Sequence, residues 1–360
     1  MKLEQADWQT LLPVFRETYQ IWSPGLSRSD YLEYQEKQIN DLWARRNLRH
    51  LALMRGHKVL SSLKLSKLNL QIRDKTIQIG GIGAVYTQLD SRNQGYASEL
   101  LDQTIDLAKE EGMQALLLFS DIDCEFYSRF GFDEIGSADM LIHLPLNKSD
   151  TQIPDHFRFE GNNTIIVQSD DKPITVDQQK LSFEHLAEVA RHHRQWLRLQ
   201  PYGIERDERY FHFKLMRESY LHNHSRLSWP ALKLTTASYD GNILGYAITE
   251  SAGRVLRVLE VVGKGPTRDA IWGALLVRAL KERLSRVRAW EALAQEFAPS
   301  YSLNQVLHRL GLKAVTGESY KGQLNYYQRS WGKGMIMPLE EQLEGLCLIN
   351  PCPLVELDHL

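Results

Sequence analysis

Three cysteines in 360 residues, Cys124, Cys347 and Cys352, are too few to frame a disulfide scaffold. No apolar run approaches the roughly 18 residues that a membrane-spanning helix needs. Charge of one sign is missing too: 43 Lys and Arg stand against 45 Asp and Glu, a net −2. That balance gives no broad attraction to nucleic acid or to an anionic membrane. The opening residues Met1-Lys2-Leu3-Glu4-Gln5-Ala6-Asp7 carry acids where a signal peptide would carry an apolar core. Cys-x-x-Cys and His-Glu-x-x-His pairs are absent, and His192, His193, His212, His222 and His224 have no zinc-ligand spacing. These absences predict a cytoplasmic protein with no membrane, nucleic-acid or metal partner.

What is present is ordinary globular material, 43% hydrophobic and 24% charged. The length suits two domains. Residues 1–150 carry 17 basic and 21 acidic side chains, and the rest carry 26 and 24. Nine of the twelve histidines also lie in that second part. Between the two, residues 147–173 contain NKSDTQIPDH, EGNN and SDDKP, turn-rich clusters that read as a linker and loops. TIIV at 164–167 fits one short strand inside it. The expected domains are therefore 1–146 and 174–360.

Periodicity supplies the elements. Trp8, Leu11, Leu12, Phe15 and Tyr19 form one helical stripe, with Pro13 as a start or a kink. A second helix is predicted over 29–43. Strands follow at 48–54, 59–70 and 77–87, and the short turns between them imply antiparallel hairpins. Residues 95–111 place Ala97, Leu100, Leu101, Ile105 and Ala108 on one face and stop at Gly112. A buried strand at 115–119, a short helix at 124–130 and a last strand near 140–143 complete a mixed α/β sheet. The remainder echoes this order: helices at 183–199 and 206–218, strands at 231–238, 243–251 and 255–262, a helix at 267–284, a strand at 290–294 and a short helix at 303–310. Residues 126–132 (FYSRFGF) align with 306–312 (VLHRLGL) in Arg, Gly and apolar frame, which points to an internal duplication.

Chemistry concentrates between Val85 and Phe132. The strand over 77–87 leads into Arg92-Asn93-Gln94-Gly95-Tyr96-Ala97 and an amphipathic helix, an R-x-x-G-x-A pattern at a helix start. Gly95 and Ala97 keep the backbone open. The helix terminus adds partial positive charge and Arg92 a full one, so a diphosphate fits there. Alone, the pattern is equally an ordinary helix start with an exposed arginine. Tyr127, 35 residues after Arg92, opens a Y-x-R-F-G-F run.

With these two motifs in this strand order, residues 3–145 resemble a GNAT-superfamily N-acetyltransferase. The tandem layout resembles the enhanced-intracellular-survival (Eis) type. Residues 118–122 (LFSDI) before Phe126-Tyr127 resemble a fungal lysine N6-acetyltransferase-like group. The resemblance implies a GNAT-like acyl-CoA N-acyltransferase domain followed by a degenerate second GNAT-like domain. It implies acetyl-CoA as co-substrate, lying where strands 77–87 and 115–120 splay apart. Backbone groups of Val85, Tyr86 and Thr87 would meet the pantetheine and acetyl group. Arg92, Asn93, Gln94, Gly95, Tyr96, Ala97 and Ser98 would wrap the diphosphate. Tyr127, otherwise a plain core tyrosine, becomes the general acid for the departing thiolate. The acceptor is a small-molecule primary amine, a cationic one such as lysine. The strand over 77–87 offers no carboxylate base. Asp121 and Asp123 either hold the amine or relay its proton, or serve as turn and N-cap residues.

The second half lacks the motif. Residues 261–269 (VVGKGPTRD) hold Gly263, Lys264 and Gly265 without R-x-x-G-x-A, and Leu307 stands opposite Tyr127. That half is expected to wall the acceptor pocket or to form an oligomer contact. A non-catalytic acetyl-CoA sensor is the competing reading of the whole chain.

Overall fold

A computed structural model describes the chain except residues 136–137, 146–151, 170–171, 291–292, 294–300, 313–323, 329–331, 344–353 and 355–360. The first elements are β1 (Lys2–Gln5), α1 (Trp8–Trp22), α2 (Arg28–Asn40), α3 (Ala44–Asn47), β2 (Leu48–Arg55), β3 (Lys58–Ile72), β4 (Lys75–Thr87), α4 (Tyr96–Glu110), β5 (Ala115–Ser120), α5 (Glu125–Ser128) and β6 (Asp133–Ile135). Then come β7 (Ala138–His143), β8 (Phe157–Glu160), β9 (Thr164–Val167), β10 (Ile174–Lys180), α6 (Leu186–Leu197), β11 (Tyr202–Ile204), α7 (Glu208–His224), β12 (Lys233–Tyr239), β13 (Asn242–Ala252) and β14 (Val255–Val262). The last are α8 (Gly265–Lys281), β15 (Arg286–Trp290), α9 (Tyr301–Arg309), β16 (Leu324–Gln328) and β17 (Lys333–Pro338).

Local chemistry sets these boundaries. Asp7 caps α1 by accepting from Thr10 N at 2.8 Å, so the helix starts at Trp8 and runs through Pro13. Ser27 caps α2 through Asp30 N at 3.2 Å. The β3–β4 hairpin turns at Arg73, whose φ of +52° fits a tight reversal. Leu51, Leu53, Leu63, Leu65 and Ile82 pack one face of the sheet on Leu100, Leu101 and Ile105 of α4. On the other face, Val14 of α1 meets Ala52, Met54, Val59 and Tyr86.

Two mixed sheets result. The first has the order β1-β2-β3-β4-β5-β17-β6, with β11 added alongside β3. The second has the order β16-β7-β15-β14-β13-β12-β10-β9-β8. Each contains one parallel pair, β4 with β5 and β14 with β15. The repeated order carries the duplication that the short 126–132 and 306–312 match suggested.

The sheets exchange strands. The segment expected as the last strand of the first sheet, β7, lies in the second sheet between β15 and β16. Its place beside β5 is taken by β17, which also pairs with β6. A further expectation moves as well: the strand placed at 290–294 is β15 at Arg286–Trp290, where Val287 and Ala289 alternate into the core. The 147–173 stretch, read as linker, contributes β8 as well as the foreseen β9.

A buried polar network stitches the two sheets together. β11 pairs with β3, and two residues beyond it Arg206 reaches β14. Its Nη1 donates to Glu260 Oε1 at 2.6 Å, Tyr246 Oη donates to Oε2 at 2.8 Å, and His193 Nδ1 lies 3.4 Å from Oε1. Burial alone would raise the Glu260 carboxyl. Arg206, His193 and Tyr246 outweigh it and hold the group well below the usual carboxylate range.

Candidate active site

The parallel pairing of β4 and β5 runs from Ile79–Ala115 to Ile82–Leu118 and stops. β4 continues to Thr87 against β3 alone. The register slips between Ser62 and Lys64, so that Ala84 and Val85 oppose the single residue Leu63. This is a β-bulge, and Ala84 holds it at φ +50°, a left-handed conformation that costs a non-glycine residue about 1–2 kcal/mol. Beyond Ile82–Leu118 the two strands no longer pair, and this gap has Val85, Tyr86 and Thr87 on its β4 side.

From Thr87 the chain runs through a short turn into α4. Asn93 at φ +59° and Gly95 at φ +79° curl the chain into the helix, and no side chain caps its first turn. Tyr96, Ala97 and Ser98 therefore present N–H groups at the positive end of the helix. Arg92 is exposed beside them; its Nε donates to Thr87 O at 3.2 Å, and its guanidinium lies 5.5 Å from the Tyr86 ring centroid. Two side chains are committed elsewhere. Tyr86 Oη donates to Glu17 Oε2 at 3.1 Å, and Tyr96 Oη donates to Gln94 Oε1 at 3.0 Å while accepting from Arg55. Glu17, which also accepts from Leu89 N at 3.3 Å, ties α1 to this turn and carried no local sequence signal.

Tyr127 lies in the cluster that contains Leu118, Cys124 and Phe132, with Val85 packed on it. It is 7% exposed and meets Phe126 and Phe132 edge-on. Burial, and then the charge of Asp121, push its phenol up to about 12. It therefore stays protonated across the neutral range. Asp121 is exposed and accepts from Gly332 N at 2.9 Å. Asp123 accepts from Glu125 N at 3.0 Å, the local capping role open to it from the sequence.

A small cavity of about 30 Å³ lies on the α1–α2 side of the sheet and touches Ala84 of the bulge. Thr18, Tyr31, Gln35, His50 and Lys64 line it. His50 and Lys64 are direct partners across β2 and β3, so their side chains share a face. Burial, and then the charge of Arg217, bring the Lys64 ammonium down to about 7. Burial, and then Lys64, bring His50 down to about 3. The sequence reading missed this cluster. Its signal is the polar alternation Ser62, Lys64, Ser66 within an otherwise apolar strand.

The equivalent gap in the second sheet is filled. β14 and β15 pair as far as Val258–Ala289 and then part. Arg268, in the first turn of α8 and 4% exposed, donates to Val261 O at 3.1 Å and to Leu293 O at 3.2 Å. Leu307 is buried where the first half has Tyr127. Among the described residues, no group of three or more His, Cys, Asp or Glu could hold a metal ion, and no helix is long and apolar enough to cross a membrane.

Comparison with known proteins agrees with this architecture. A family model, the acetyltransferase (GNAT) domain, matches residues 2–135. No curated protein matches the chain. Among solved structures, a GCN5-related N-acetyltransferase from Anabaena variabilis superposes with a TM-score of 0.59 at 14% identity, covering 93% of this chain and 72% of its own. A protein of unknown function from Enterococcus faecalis, described as a probable N-acyltransferase, gives 0.62 at 11% identity, with 95% and 73% covered. Eis1 from Mycobacterium abscessus gives 0.55 at 11% identity, with 94% and 74% covered. The fold is that of the GNAT acetyltransferases, laid out twice in one chain, and residues 2–135 carry the sequence pattern of that domain family.

Proposed function

We propose that the chain is an N-acetyltransferase that moves an acetyl group from acetyl-CoA to a primary amine by direct attack. The observation that carries this reading is the parting of β4 from β5 after Ile82–Leu118, followed along the chain by the bulge at Ala84 and the uncapped start of α4. Tyr127 belongs to the core cluster against which Val85 packs.

Tyr96, Ala97 and Ser98 would hold the diphosphate with their N–H groups, joined by Asn93, Gln94 and Gly95 of the loop and the Arg92 charge. When bound, acetyl-CoA supplies a thioester carbonyl for the amine to attack and a thiol to leave. A backbone N–H near Val85 and Tyr86 stabilises the developing negative oxygen. Tyr127 gives its phenolic proton to the departing sulfur and regains one from solvent, which takes up the proton that the nitrogen sheds on forming the amide. Its raised pKa keeps that proton in place until it is needed. Asp121, at the mouth of the gap, suits a cationic amine such as lysine. The second half walls the acceptor pocket. This reading keeps the protein in the cytoplasm, without metal, membrane or nucleic acid.

The test is thiol release from acetyl-CoA with a panel of amines. Turnover on at least one amine supports the reading. Tight acetyl-CoA binding with no turnover on any amine would instead support a sensor, a role to which the filled second cleft lends weight: the fold persists without an open gap.

A further inference from the structure

The polar lining of the cavity beside Ala84 includes Lys64, a donor-only group, beside Thr18, Tyr31, Gln35, His50 and Ser62, each of which can donate. Lys64 Nζ has one hydrogen bond, to Gln38 Oε1 at 3.4 Å, which is long for a charged donor. His50 Nε2 is buried with no hydrogen-bond partner. Arg217 of α7 adds its charge from behind Lys64, and its own hydrogen bond goes to the neutral Tyr34 Oη at 3.3 Å. Among the described residues no carboxylate lies within ion-pair distance of Lys64 or Arg217. Lys64 and Arg217 are half-buried, and the nearby carboxylate of Glu218 acts on Arg217 and not on Lys64. A site built this way is complementary to an anion. Its volume, about 30 Å³, is room for roughly two waters, the size of one carboxylate group.

The side of the sheet identifies the owner of that anion. The diphosphate loop and α4 lie on the opposite face, packed on Leu51, Leu53, Leu63 and Leu65. The cavity lies under α1 and α2 and reaches the bulge at Ala84 and Leu63. An anion there belongs to the amine that approaches the bulge. We infer that this cavity binds the carboxylate of the acceptor, which makes the acceptor an amino-acid-like molecule bearing both a primary amine and a carboxylate. This rests on the acetyltransferase reading and narrows it. Lysine satisfies both, and simple diamines do not.

Binding has a proton signature. The groups that face the site are Thr18 from α1, Tyr31, Tyr34, Gln35 and Gln38 from α2, His50 from β2, Lys64 from β3, and Arg217 with neighbouring Glu218 from α7. Both tyrosines are shifted upward and stay neutral. A bound carboxylate favours the charged form of Lys64, so binding above pH 7 takes up a proton.

Two measurements on the full chain test this. The first compares kcat/KM for lysine with that for its decarboxylated diamine, in wild type and Lys64→Met. The wild-type preference for lysine should be about 10- to 100-fold, the worth of one charge-assisted hydrogen bond, and should shrink to within about threefold in the variant. An unchanged ratio overturns the proposal. The second needs no turnover: calorimetric titration of lysine, the diamine and acetate at pH 8 in buffers of different ionisation enthalpy. Lysine binding with proton uptake in wild type, and without it in Lys64→Met, supports the proposal even if acetyl transfer fails. Acetate binding as tightly as lysine assigns the site to a free anion and overturns it. Absence of binding by all three leaves the cavity to water and overturns it too.

Discussion

The two clefts begin alike and end differently. In each sheet a parallel pair parts after four residue pairs, at Ile82–Leu118 in the first and Val258–Ala289 in the second. In the first, the next turn carries Arg92 outside, at the surface, and leaves the gap to whatever binds. In the second, Arg268 folds inward and satisfies carbonyls on both arms. One arginine precedes its helix and stays at the surface; the other, within the first turn, is buried between two carbonyls. A fold can thus retain its scaffold and lose its opening through the position of a single long side chain.

The strongest way to break this comparison is at the two corresponding positions, Tyr127 and Leu307. Tyr127→Phe should lower kcat by about 10²- to 10⁴-fold, the usual worth of a general acid, while acetyl-CoA affinity stays within about twofold. Leu307→Tyr should create no activity in the second half. Equal turnover of Tyr127→Phe and wild type in the thiol-release assay would remove the acid assignment.

Next in size is the plug. Arg268→Ala leaves two buried carbonyls without their donors, at about 1–3 kcal/mol each, and thermal unfolding should move down by several degrees. Acetyl-CoA stoichiometry should stay at one per chain in calorimetry. A second equivalent bound by the variant would show that the arginine alone stood between the two clefts.

Smaller is the loop. Gly95 holds φ +79°, and alanine there costs about 1 kcal/mol of backbone strain. Gly95→Ala should weaken acetyl-CoA binding by about fivefold and leave the kcat ratio among acceptor amines unaltered. A change in that ratio would mean that the loop also touches the acceptor.

The last is a slope with pH. Lys64 titrates near 7 in the folded chain against an ordinary value of 10.5. Between those values the unfolded chain holds the proton that the folded chain has lost. Folding stability contributed by this group therefore rises with pH from about 7 to 10.5, and is least below 7. Urea midpoints across that window should climb in wild type more than in Lys64→Met. Parallel curves would place Lys64 in contact with water.

Much of the first cleft was legible in the sequence because its signals are local. A glycine before a helix, an arginine beside it and an apolar strand next door lie within forty residues of one another. Tyr127 came from the same stretch. The strand exchange was not legible. β7 and β17 are six residues each, and a short apolar run states that it will be buried without stating beside which partner. Lys64 was hidden for a related reason. Alternation puts it on the face opposite Leu63 and Leu65, but a lysine on a strand is ordinarily taken to face water, and only α1 and α2 folding across it make that face an interior. Arg268 has the same ambiguity, since a helix-start arginine reads as exposed until strands close around it.

The position of β17 sets an order in time. The first sheet receives the strand between β5 and β6 from Lys333–Pro338, about two hundred residues after β6. At a synthesis rate of roughly 5–20 residues per second, β5 waits about 10–40 s with an open edge before its neighbour exists. Its apolar sequence, Ala115–Ser120, is an aggregation hazard for that interval. The amino-terminal cleft therefore cannot reach its final sheet order on the ribosome while the second half is still being made. A nascent chain arrested before residue 333 should hold the R-x-x-G-x-A motif and lack the strand that joins β5 to β6.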